Sequence, residues 1–163
     1  MGSGIRPFRS VAVAVLVLAG SWAAVTAEPS RVSLDVQGHR GWRGQYPENT
    51  MAAFRSAVDD WGADMLELDV RTTRDNEVVV IHDETVDRTT DGSGLVAGFS
   101  YAELAELDAG HPFLDLEGTP SFRAQGVVIP RLEDVITGLP GVRLNVEAKE
   151  PQVAGPLVEL IRR

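Results

Sequence analysis

Four short segments of the sequence end in side chains capable of acid, base or metal chemistry: His39-Arg40, Glu67-x-Asp69, His82-Asp83 and Glu147-x-Lys149. Apolar residues alternate with them, the pattern expected where a buried strand stops. Side chains alternate across a strand with period two, so Glu67 and Asp69 share one face while Leu66, Leu68 and Val70 take the other. Two carboxylates side by side on a buried strand need a cation, because an unpaired buried charge is costly. The same alternation sends Asn145, Glu147 and Lys149 one way and Leu144, Val146 and Ala148 the other. A single pocket at the strand ends can collect all of these polar groups.

The elements that must hold them follow a strand, loop, helix rhythm. Residues 33–39 read as a first strand, with Gly38 and Gly41 bracketing His39-Arg40 where backbone must approach a ligand. Asn49 or Thr50 caps a helix whose apolar stripe is Met51, Phe54, Ala57, Val58 and Trp61, ended by Gly62. Residues 65–70 form the second strand and 78–82 the third. The turn formers of 87–94 mark a loop or small insertion, placed at about 84–128, in which Ser100-Tyr-Ala-Glu103 is a capping box and 110–126 has no period. A helix over 130–138, a fourth strand over 142–149 and a helix from Pro151 complete the pattern.

Strands alternating with helices predict an α/β fold with a parallel sheet. An open sheet gathers ligands at one switch point, whereas four successive strands delivering polar chemistry at their carboxyl ends match a closed TIM-type (β/α)8 barrel. No nucleotide-binding glycine motif supports the open alternative. A barrel takes about 250 residues. The expectation is therefore that the chain carries roughly the first four β/α units, the N-terminal half of a barrel over residues 28–163, with the C-terminal half absent.

Arg6 and Arg9 precede an apolar run from Val11, and Val25-Thr26-Ala27 offers small residues for cleavage, so residues 1–27 read as an export signal peptide. The run to Val25 is 15 residues, short of the roughly 20 of a membrane span. The expected product is exported, with no stable membrane insertion after cleavage. Removing the leader takes 15 basic side chains to 13 against 24 acidic ones, a net charge of −11. Such a balance excludes nucleic acid and anionic membrane as partners sought by charge. With no cysteine, a metal must be held by oxygen and imidazole, which favours a hard divalent cation, calcium or magnesium.

The motifs in order are His39-Arg40-Gly41 followed by Pro47-Glu48-Asn49-Thr50, Gly62-Ala63-Asp64-Met65-Leu66-Glu67-Leu68-Asp69-Val70, His82-Asp83 with Asp87-Arg88-Thr89-Thr90, and Asn145-Val146-Glu147-Ala148-Lys149. Together they resemble the glycerophosphodiester phosphodiesterase family, of the phosphatidylinositol-specific phospholipase C-like barrels, from about Val36 to Lys149. The resemblance implies metal-dependent hydrolysis of a small-molecule glycerophosphodiester to glycerol 3-phosphate and an alcohol. It also implies Glu67, Asp69 and Glu147 as metal ligands, His39 and His82 as the acid/base pair, and Arg40 and Lys149 facing the phosphate. Calcium is the expected ion, magnesium the next. Arg131 departs from the pattern, standing where a threonine commonly caps the helix.

Charge explains why such a reaction needs these groups. A phosphodiester repels a nucleophile and gathers charge on its oxygens as the bond breaks, so a cation and fixed positive groups lower the barrier. Two histidines can hold opposite protonation states near neutral pH. His39 is assigned as base and His82 as acid; the attacking group is the glycerol 2-hydroxyl or water, and the sequence leaves both open.

Each residue also has a plainer reading. Glu48 and Asn49 are read as structural, Asp83 as orienting His82, and Lys149 as either a phosphate ligand or a salt-bridge partner of Glu147. The three tryptophans are expected not to form a stacking ladder, with Trp42 alone placed to touch substrate. Two other functions fit the same residues: a remnant that binds metal or phosphate without turnover, and a sphingomyelinase D-like phospholipase.

Overall fold

In the computed structural model, which describes residues 34–163, the chain runs through strand β1 (Gln37–His39), helix α1 (Met51–Arg55), strand β2 (Met65–Thr72), strand β3 (Val78–Val80), helix α2 (Tyr101–Leu104), helix α3 (Leu132–Gly138), strand β4 (Arg143–Ala148) and helix α4 (Ala154–Ile161). The leader expected over 1–27 lies outside the described residues. Among those described, no helix is long and apolar enough to cross a membrane.

β2 is the centre of the sheet. β1 pairs with it in parallel from Gln37↔Met65 to His39↔Glu67, and β4 pairs in parallel along its other edge from Met65↔Arg143 to Val70↔Ala148. Leu66, Leu68 and Val70 pack against Phe54 and Ala57 from the first helix, Leu132 and Val135 from α3, and Val153. Burial of each large side chain contributes about 1.5–3 kcal/mol. This apolar layer turns the opposite face of β2, with Glu67 and Asp69, toward the site.

The third strand corrects the expected architecture. β3 is antiparallel to β2, with Val70↔Val80, Arg71↔Val79 and Thr72↔Val78 in register. Only residues 73–77 join the two, and a parallel return needs a crossover of a dozen residues or more. The link closes instead as a hairpin, with Thr73 N–H donating to the Glu77 carbonyl at 3.0 Å and Asn76 at φ 63°. The described residues therefore carry three parallel strands in the spatial order β1-β2-β4, with β3 extending the β2 edge, not the four parallel units expected.

After β3 the long loop has its own small core, in which Val79 and Ile81 pack with Val86, Val96, Leu104, Ala109 and Ile129. The Ser100–Glu103 capping box that opens α2 is present. At α3, Arg131 supplies no side-chain cap; Asp134 accepts from its backbone N–H at 3.3 Å, and the Arg131 guanidinium lies 2.8 Å from Asp134 and 5.0 Å from the Tyr101 ring centre.

α1 does not end cleanly. It widens into a π-type turn over Ser56–Asp60 and stops at Gly62, φ 64°. Trp61 leaves the buried stripe and stacks on Trp42, ring centres 4.6 Å apart and planes 7° from parallel. The two tryptophans thus form a stacked pair, a contact the sequence reading did not anticipate.

Gly41, where the segment after β1 passes this helix, sits at φ 80°, and a Cβ there would meet the Ala53 backbone at 2.7 Å. Left-handed strain and overpacking act together, so Gly41→Ala should lower unfolding stability by about 2–4 kcal/mol. Urea unfolding checks this, and a midpoint indistinguishable from wild type would contradict the close approach.

Candidate active site

Register brings the acids together. Asp69 on β2 lies opposite Glu147 on β4, with Glu67 one residue pair back along the same face of β2. One carboxylate oxygen from each of Glu67, Asp69 and Glu147 lies within 4.8 Å of the others. Asp69 is fully buried and Glu67 nearly so, while the Glu147 side chain is 58% exposed. This is the set the motifs predict.

Two buried acids on one strand persist because donors surround them. Arg40 Nε lies 3.1 Å from Asp69 Oδ2, and the Arg40 backbone N–H donates to Glu67 Oε2 at 2.8 Å. Lys149 Nζ is 2.9 Å from Asp69 Oδ1 and donates to Glu147 Oε1 at 2.7 Å. Burial opposes the charged ammonium, but its contacts with Glu147 and Asp69 outweigh that and raise the Lys149 pKa. The salt-bridge reading of Lys149 is thus realised, and both Arg40 and Lys149, expected to face phosphate, also reach the acids. Asp69 Oδ1 is buried, and the Lys149 ammonium is the charge beside it.

Asn49 does more than cap a helix. β1 ends opposite Glu67 and the antiparallel β3 ends opposite Val70, leaving a gap on that edge of β2. Asn49 fills it: Nδ2 donates to Asp69 Oδ2 at 2.9 Å and Oδ1 accepts from the Asp69 N–H at 3.4 Å. It is buried with φ 57°, a backbone setting asparagine tolerates better than most residues. Thr50 is the cap, accepting from Ala53 N–H at 3.3 Å.

His39 sits at the end of β1 with Nε2 3.7 Å from Glu67 Oε2. His82 follows β3 and is tied in through a chain of ion pairs. His82 Nδ1 is 2.7 Å from Asp83 Oδ1, and Arg88 Nε is 2.6 Å from Asp83 Oδ2. Arg88 Nη2 then donates to Glu48 Oε1 at 2.7 Å, and Arg40 Nη1 donates to the same oxygen at 2.9 Å. Arg40 completes the path to Asp69. Asp83 therefore orients the His82 ring, as the sequence suggested, by engaging Nδ1 and not Nε2.

Arg88, hydrogen-bonded to Asp83, holds that carboxyl well below the ordinary range. At Glu48 burial works against ionisation, and Arg88 and Arg40 more than offset it, so its pKa is lowered. Glu48 and Arg88 were legible only as part of a motif string. The further pair of Arg71 with Glu150 at 3.1 Å went unnoticed, although extending the period two residues past Asp69 puts Arg71 on the same face.

A depressed pKa contributes stability that is present above the unfolded carboxylate value and lost as pH falls through the folded one. Glu48→Gln should thus destabilise the protein by about 2–3 kcal/mol at pH 7, leaving two arginines without their shared acid, and the gap should narrow below about pH 4. Unfolding measured from pH 7 to 3 checks this; a constant gap would contradict the ion-pair role.

The comparisons agree with this geometry. The profile of the Glycerophosphoryl diester phosphodiesterase family matches residues 39–157. A glycerophosphodiester phosphodiesterase of Bacillus altitudinis is 43% identical over 124 residues, covering 74% of this chain and 47% of the relative, and one of Caldanaerobacter subterraneus is 44% identical over 126, covering 76% and 49%. Among solved structures, an Oleispira antarctica phosphodiesterase in complex with the product sn-glycerol-3-phosphate superposes with a TM-score of 0.67 at 34% identity, covering 80% of this chain and 52% of that one. The phosphodiesterase domain of a Mycobacterium tuberculosis protein gives 0.74 at 26% identity, covering 79% and 48%. The chain spans about half the length of these relatives. With the acids, histidines and arginines in the places described, it belongs to the glycerophosphoryl diester phosphodiesterase family.

Proposed function

We propose that this protein hydrolyses glycerophosphodiesters to glycerol 3-phosphate and an alcohol, within a sheet that closes as a TIM-type barrel, after export. The observation carrying this reading is the convergence of Glu67, Asp69 and Glu147 beside His39, in a family whose Oleispira antarctica relative is described with glycerol 3-phosphate as product.

A divalent cation fits the donor set. Three carboxylates offer hard oxygen ligands and no thiolate, with one oxygen of each within 4.8 Å of the others. Glu67, Asp69 and Glu147 would hold the ion, calcium first and magnesium second. When bound, it supplies positive charge to a phosphate oxygen.

The chain's own residues do the rest. Arg40 and Lys149 neutralise charge on the phosphate as it builds. The attacking hydroxyl, of glycerol or of water, forms a bond to phosphorus and passes its proton to His39 Nε2. The bond from phosphorus to the leaving alcohol breaks, and His82 Nε2 gives its proton to the departing oxygen. Where the glycerol hydroxyl attacks, water then opens the cyclic phosphate, passing its proton to His82 Nε2 as its oxygen bonds phosphorus, while His39 Nε2 returns a proton to the glycerol oxygen as the ring P–O bond breaks. Asp83 supports this by holding His82 Nδ1 at 2.7 Å, which turns Nε2 toward the departing oxygen.

General acid and base steps are each worth roughly 10²–10⁴ in rate. His39→Ala and His82→Ala should each lower kcat on glycerophosphocholine by at least about 100-fold while calcium affinity stays within about threefold, since neither is among the three carboxylates. Assays with glycerophosphocholine, glycerophosphoethanolamine and glycerophosphoinositol test this. Substantial turnover in either variant would overturn the pairing, and calcium binding without turnover in the wild type would favour the non-catalytic remnant.

A further inference from the structure

The acid assigned above sits on a loop, and a proton donor on a loop needs something rigid to aim it. Asp83, itself held by Arg88, orients the His82 ring, but it makes no contact that fixes the His82 main chain. The main chain at His82 is fixed from elsewhere. Arg71 Nε donates to the His82 carbonyl at 3.0 Å, and its Nη1 donates to Glu150 Oε2 at 3.1 Å. The Arg71 and Glu150 side chains are only 13% and 20% exposed.

Strand geometry explains why one guanidinium can reach both segments. Arg71 continues the Glu67, Asp69 face of β2 by one more step of the period. β2 pairs with β4 as far as Val70↔Ala148, and the Lys149 N–H still donates to the Val70 carbonyl at 3.1 Å. Beyond that the strands part. Glu150 takes over the ladder with its side chain, Oε1 accepting from the Thr72 N–H at 2.8 Å while Oε2 meets Arg71. One carboxylate thus caps β2 and anchors Arg71, and Arg71 spans from the segment carrying Lys149 to the segment carrying His82.

Resting on the acid role of His82, we propose that Arg71, anchored by Glu150, is a positioning residue that sets His82 at proton-transfer distance from the leaving group and fixes its loop relative to Lys149. The planar fork is what suits it to this: Arg71 bonds two groups in fixed directions at once, which a lysine ammonium on a flexible stem does not reproduce. A misplacement of about 1 Å at a reacting group can lower a rate by about 100-fold.

The leaving group provides the test. A choline alkoxide needs a proton to depart, whereas 4-nitrophenolate in the 4-nitrophenyl ester of glycerol 3-phosphate, which keeps the same glycerol hydroxyls, leaves without one. Arg71→Lys should lower kcat on glycerophosphocholine by about tenfold with KM nearly unchanged, while turnover of the nitrophenyl ester stays within about twofold. Glu150→Gln, which keeps an oxygen for Thr72 but loses the charge, should shift the same ratio in the same direction by about threefold. Equal losses on both esters in the two variants would reduce the pair to a structural tie and overturn the inference, as would no loss on either. His82→Ala is the control for the underlying reading: it should show the same selectivity in stronger form. If His82→Ala is selective and Arg71→Lys is not, positioning by Arg71 is wrong; if His82→Ala slows both esters alike, the acid assignment falls and this inference falls with it.

Discussion

Three carboxylates forced into one small volume set the terms for the rest of the structure. Glu67 and Asp69 are buried on the central strand and Glu147 faces Asp69 across the ladder. Their mutual repulsion in a poorly hydrated place would break the sheet unless matched by positive charge and directed donors. Arg40, Lys149, Asn49 and the Arg40 backbone N–H meet part of that demand. The demand that remains is what makes the cluster suited to a cation.

Balancing the acids also ties distant segments together. Arg40 shares Glu48 with Arg88, Arg88 holds Asp83, and Asp83 holds His82, so a histidine from the hairpin side is linked by charge to a strand it does not pair with. Arg71 and Glu150 repeat the device on the other edge. Nearly every ionised group here is within reach of an opposite charge, as buried charges must be. The apolar layer of Leu66, Leu68 and Val70 beneath is what allows so polar a face above.

Much of this was legible because strands alternate. Period two alone put Glu67 with Asp69 and Glu147 with Lys149, and the capping box at Ser100 and the turn formers after Asp83 marked the long loop correctly. The error at β3 came from reading an apolar run, Val78-Val79-Val80, without weighing the length of its connection; five residues permit a hairpin and forbid a parallel return. The roles of Glu48, Asn49 and Arg88 were hidden for a different reason. Asn49 meets Asp69 20 residues away and Glu48 meets Arg88 40 residues away, and nothing in local spacing reveals which long side chains will meet across a fold. Trp61 misled because a helical stripe was extended through a turn that had already widened.

Calcium titration of the wild-type protein and of Glu147→Gln, followed by calorimetry, bears most directly on the carboxylate cluster as a cation site. The account predicts one saturable site in the wild type and affinity at least about tenfold weaker in the variant, because a charged ligand has been replaced by a neutral one. No saturable binding by the wild type, or equal affinity in both proteins, would contradict it.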